Sequence, residues 1–112
     1  MSKYMILHNA PEPSGEFMAH SSPEDMKRGM DDWMRWKDEA EKTVKFEFGM
    51  PLQAVARIYT DKVTDSDNPA GGYSMIEADS KQQVIDVLRN HPHLGRMGTS
   101  IDVLEIIPMP GI

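Results

Sequence analysis

Two helix-start signatures, Ser22-Pro23-Glu24-Asp25 and Asp79-Ser80, each follow a short strand-like stretch, and this recurrence constrains the fold more than any other feature. Ser22 is a capping residue, Pro23 suits the first helical position, and Glu24 and Asp25 favour the positive end of the helix dipole. From there the spacing of Met26, Met30, Trp33, Lys37 and Ala40, widened by Met34 and Trp36, predicts an amphipathic helix to about Lys42, with an available Glu39–Lys42 pair. The second signature opens a helix from Lys81 to about Asn90, whose apolar stripe is Val84, Ile85, Val87 and Leu88 and which Pro92 stops.

Strand patterns occupy the intervals. Tyr4 to His8 carries Tyr4, Ile6 and His8 on one face and Met5 and Leu7 on the other, as an interior strand does. Asn9 to Ser22 reads as a Pro-, Gly- and Ser-rich loop, long enough to act as a lid. Gly49-Met50-Pro51 marks a turn after the short Phe46–Phe48 stretch, and Gln53 to Tyr59 alternates as a second strand. A turn-rich connection from Thr60 to Gly71 leads to a third strand, Tyr73 to Ala78, with Gly71-Gly72 meeting the backbone demands of a hairpin. Ile101 to Ile107 is the last strand.

The order strand, helix, strand, strand, helix, strand predicts an α+β, ferredoxin-like βαββαβ fold, a four-stranded antiparallel sheet with both helices on one face. At 112 residues the chain is one domain, 1–112. Ile101, Val103 and Ile107 point one way and Leu104 and Ile106 the other, so both sheet faces want cover while the helices supply only one. A homodimer packed sheet against sheet is therefore expected.

Charge narrows the partners. Eighteen acidic and twelve basic residues give a formal charge of -6, with no basic run, so nucleic acid is not an expected partner. With no cysteine, disulfides and thiol catalysis are excluded, and a reducing compartment is suited. The N-terminal apolar stretch is too short for a signal peptide, and no segment approaches the ~20 apolar residues of a membrane span, so a cytoplasmic location with no membrane partner is expected.

His91-Pro92-His93-Leu94-Gly95 places two of the four histidines at a helix exit. Histidine exchanges protons near neutral pH, so His93 is a candidate general acid or base at the rim of a helix–sheet cleft. His91 reads chiefly as a cap on the last helical carbonyls, and as a ligand contact if it faces the cleft. Two imidazoles separated by proline, with His8 or His20 nearby in space, make a weak metal pattern, and neither metal nor cofactor is expected. Asp32 is the candidate carboxylate to orient a histidine, the alternative being a solvated helix face. Trp33 and Trp36 are candidate stacking surfaces for a small-molecule ligand or simply core, while His8 and Tyr73 are candidate contacts from the strands. The Gly71-Gly72 pair has no helix after it, so it is not a phosphate-cradling loop.

The stretch Gly71-Gly72-Tyr73-Ser74-Met75-Ile76-Glu77-Ala78-Asp79-Ser80, followed by His91-Pro92-His93-Leu94 and by Ile101 to Met109, resembles the YCII-related (DGPF-type) proteins. Lys3-Tyr4-Met5-Ile6-Leu7 and Trp33-Met34-x-Trp36 agree with that pattern, so the resemblance covers nearly the whole chain. The family's namesake Asp-Gly-Pro-Phe is replaced by Ser66-Asp67-Asn68-Pro69, which implies a side branch. The resemblance implies a dimeric α+β barrel. In a few relatives, similar to dehydrochlorinases or muconolactone isomerases, it also implies a His–Asp acid–base pair. The histidine of that pair sits on the first helix, where this chain has Asp32. Two function classes follow: a cofactor-free lyase- or isomerase-type enzyme acting on a small molecule in the cleft, or a non-catalytic ligand-binding or accessory module.

Overall fold

In a computed structural model, which describes residues 1–111, the chain forms six strands, three α-helices and one 3₁₀ turn. In order these are β1 (Ser2–Asn9), α1 (Ser14–His20), α2 (Pro23–Ala40), β2 (Lys45–Pro51), β3 (Arg57–Ile58), β4 (Val63–Thr64), β5 (Ala70–Ala78), α3 (Lys81–Leu88), the 3₁₀ turn Pro92–Gly95 and β6 (Ser100–Ile106). The main sheet has the order β2-β5-β1-β6 with every pair antiparallel, which is consistent with a ferredoxin-like fold. None of the described helices is long and apolar enough to cross a membrane.

Both helix starts form as their residues dictate. Ser22 Oγ accepts from the Asp25 backbone N–H at 3.0 Å, and Ser80 Oγ from that of Gln83 at 3.2 Å. Strand parity sets the core. Tyr4 and Ile6 of β1, Phe46 of β2 and Ile76 and Ala78 of β5 are buried on the helix-facing side. Trp36 and Ala40 of α2 and Val84 and Leu88 of α3 close over them. The Trp36 indole N–H donates to the Val87 carbonyl at 2.7 Å, tying the two helices together.

Four expectations need correction. The Asn9–Ser22 segment is not all loop but contains α1. The second sheet strand is Lys45–Pro51, not Gln53–Tyr59: Phe46 and Phe48 alternate onto the helix-covered face, whereas the alternation from Gln53 has no core to meet. Only Arg57–Ile58 of that segment is strand, in a small hairpin with Val63–Thr64 whose Val55, Ile58 and Val63 are exposed. Gly71 and Gly72 are not turn residues of a tight hairpin. They lie in β5 with ordinary φ, and the only positive φ values among the described residues are at Gly98 and Gly111. Finally, the predicted stripe of α2 splits. Trp36 and Ala40 are buried, but Met26, Met30 and Met34 are exposed, and Met26 and Met30 border an open cleft rather than the core.

Sheet pairing is irregular at one end only. The register shifts between His8 and Asn9 against β5, and between Phe48 and Pro51 on its other side. At the second irregularity a Cβ on Gly49 would overlap the Tyr73 carbonyl and ring, so glycine is required there. Such bulges re-aim side chains, and here both flank the same opening beneath α2.

Candidate functional site

The opening is a cleft of about 670 Å³ between the first half of α2, α1 and the irregular end of the sheet. Its walls are largely apolar: Phe17 and Met18 from α1, Met26, Met30 and Trp33 from α2, and Phe48 from β2. Aromatic rings and methionine thioethers make an adaptable surface for a flat or compact ligand. Trp33 stacks toward Phe48, with ring centroids 6.1 Å apart and planes at 27°.

Three histidines gather at the base of this cleft. His8, His91 and His93 are all buried, at 3%, 2% and 6% exposure. The His8 ring centroid lies 5.1 Å from that of His91, 5.4 Å from His93 and 5.0 Å from Trp33. His8 and His93 line the cleft; His91 lies behind them, its ring 4.4 Å from both Trp33 and Trp36.

The hydrogen bonds assign much of their proton inventory. His93 Nε2 lies 2.7 Å from the Asn9 carbonyl, which can only accept, so this nitrogen carries a proton. His91 Nδ1 accepts from the His93 backbone N–H at 3.0 Å, so a neutral His91 carries its proton on Nε2, which has no partner. His8 Nε2 and Ser74 Oγ are hydrogen-bonded at 2.8 Å, leaving His8 Nδ1 unpartnered as well. Burial pushes His8 down to about 4, with a further lowering from the neighbouring His93. Burial pushes His91 down to about 3, aided by His8 and His93. Burial lowers His93 too, against the raising effect of its bond to Asn9 and with Arg96 adding to the fall. All three imidazoles are therefore neutral near pH 7.

These placements reassign the expected roles. The His91 imidazole does not cap α3, although its backbone N–H donates to the Leu88 carbonyl at 3.0 Å; its Nδ1 accepts from the first turn of the 3₁₀ segment that Pro92 initiates. His93 lies in the base of the cleft rather than at its rim, with Nε2 held by backbone. Asp32 reaches the cleft, but its carboxylate pairs with Arg35 on the same helix, and among the described residues no carboxylate hydrogen-bonds to a buried histidine. Trp33 lines the cleft, whereas Trp36 packs behind it in the core. Tyr73 lies at its edge, beside Gly49. His20 sits exposed on α1, where its bond to Glu12 raises its pKa. Among the described residues no three His, Asp or Glu side chains are grouped as metal ligands.

Two participants were not singled out from the sequence. Ser74 is the one polar side chain at an inward position of β5 between Tyr73 and Ala78, a parity signal that was present. Arg96, half-buried over the Phe17 ring at 3.9 Å, had no such signal. No family model and no curated protein matches this chain, so the chemistry of the cleft carries the functional reading.

Proposed function

We propose that this chain is a YCII-related protein whose cleft takes up a compact, largely apolar molecule, and that His8 exchanges a proton with it in a lyase- or isomerase-type reaction. The observation that carries this reading is the buried, unpartnered Nδ1 of His8 in a residue that lines an apolar cleft. Ser74 holds the other nitrogen and so acts as a positioning residue. In this reading His8 Nε2–H donates to Ser74 Oγ, so the neutral imidazole presents a bare Nδ1 to take a proton, the role that the sequence suggested for His93.

The test is solvent-deuterium incorporation into a panel of compact aromatic acids and lactones, followed by NMR. The chain should catalyse exchange at an acidic C–H, and His8→Gln should slow it by about 10²–10⁴-fold, the usual worth of a general base. Equal exchange by the variant would remove His8 from the chemistry. The second reading, binding without turnover, is favoured by the absence, among the described residues, of any carboxylate bonded to the three imidazoles. It predicts saturable binding with no exchange in either protein.

The same proposal includes a homodimer packed sheet to sheet. Met5, Leu7, Met75, Leu104 and Ile106 share the face that no helix covers, and Leu104 and Ile106 are 46% and 42% exposed. The radius of gyration is 15.7 Å, against about 13 Å for a compact chain of this length. The surface of 8023 Å² exceeds the roughly 6,200 Å² of a compact monomer of this mass, an excess on the scale that one subunit of a large obligate dimer buries. Light scattering at micromolar concentration should give twice the chain mass, and Leu104→Lys should shift it to the monomer mass. A monomer in the unsubstituted chain would overturn the dimer.

A further inference from the structure

We infer that the ligand of the cleft carries a carboxylate, and that Arg96 is the residue that receives it. The inference rests on the cleft reading above and adds its chemical class.

The cleft is lined by three carboxylates and two guanidinium groups, and all but one of them already have a partner side chain. Glu12 is paired with His20, Asp25 with Arg28 at 3.5 Å, and Asp32 with Arg35. Arg96 alone among these charged groups has no carboxylate within ion-pair distance among the described residues. Its guanidinium carbon lies 3.9 Å from the Phe17 ring centroid of α1, and among the described residues its side-chain N–H groups have no hydrogen-bond partner.

The backbone beneath Arg96 is anchored. Its N–H donates to the His93 carbonyl at 3.4 Å, and its own carbonyl accepts from the Thr99 hydroxyl at 2.7 Å. The guanidinium thus projects from a fixed point at the end of the 3₁₀ turn, close enough to His93 to depress its protonation. An unpaired guanidinium fork beside an apolar wall matches a planar carboxylate on an apolar or aromatic body. A ligand so held keeps its body against Trp33 and Phe48, and the neutral imidazole of His8 does not repel its remaining polar group. The net charge of -6 is not concentrated here, because each of the cleft's own acids is held by a basic side chain.

The experiment compares phenylacetate with phenylacetamide, near-identical in shape and differing in charge, by calorimetry and by tryptophan fluorescence. The unsubstituted chain should prefer the carboxylate by about tenfold or more at low salt, and the preference should shrink as salt screens it. Arg96→Gln should reduce the preference to about twofold or less by weakening the carboxylate more than the amide, and Arg96→Lys should fall between, keeping charge but losing the fork. Equal affinity for both probes, or a preference that survives Arg96→Gln, would overturn the carboxylate assignment and leave the cleft standing. Failure of both probes to bind would overturn the cleft reading together with this one. Should Arg96→Gln not fold, the salt dependence in the unsubstituted chain decides.

Discussion

Between pH 7.5 and pH 5 the folded state is expected to lose roughly 3–4 kcal/mol of stability, from His8 and His91 alone. An unfolded histidine titrates near 6.5, whereas in the fold His8 is pushed down to about 4 and His91 to about 3. Below 6.5 the unfolded chain therefore binds protons that the folded chain refuses, and unfolding becomes easier as pH falls. Each group contributes up to about 1.4 kcal/mol per pH unit until its folded value is reached. His93 shifts in the same direction and adds to the slope. Most carboxylates titrate below this window, so the histidines dominate it. Against a total of about 5–15 kcal/mol for an ordinary domain, the effect is large. Urea melts at fixed protein concentration across this range measure it. His91→Phe should remove about one proton's worth of slope whatever it does to absolute stability. A flat profile from pH 7 to 5 would mean that the three imidazoles are solvated rather than packed.

Ile76→Ala is expected to cost about 2–5 kcal/mol, and Ile76→Val only about 0.5–1.5. Ile76 is 1% exposed at the centre of the sheet, paired with Tyr4 on one side and Phe46 on the other. Truncation there removes both transfer energy and the contacts of surrounding rings, and a β-strand in a four-stranded sheet cannot collapse to fill the gap. Ile58→Ala is the matched control, since Ile58 is 79% exposed on the small hairpin and its loss should fall within about 0.5 kcal/mol. Equal costs at the two positions would displace the core from where Ile6, Ile76 and Val84 put it.

Several elements could be read from local sequence because their physical causes are local. Capping at Ser22 and Ser80 depends on a hydroxyl three residues before a backbone N–H. The two-residue period of β1 and β5 depends only on alternation, and so does the choice of face for Tyr4, Ile6 and His8. The second strand was misplaced because Phe46–Phe48 and Gln53–Tyr59 alternate alike. What separates them is the presence of α2 over the first and nothing over the second.

The site divides along the same line. Residue type alone pointed to the histidines, to Trp33 and to a cleft between helix and sheet. Their protonation and partners are not local properties. Ser74 reaches His8 across 66 residues and Asn9 reaches His93 across 84, and only the paired strands bring them within hydrogen-bond distance. Asp32 has the right chemistry for a histidine partner, yet Arg35 lies one helical turn away and takes it first. The sequence by itself determined the helices opened by Ser22 and Ser80, three of the four sheet strands and the inward faces of those strands, since these follow from neighbours along the chain. Only the tertiary structure decided that His8 lines the cleft with its Nδ1 buried and unpartnered, that His91 is sealed behind it, and that Arg96 has no carboxylate within ion-pair distance among the described residues. Burial and pairing are set by residues far apart in sequence.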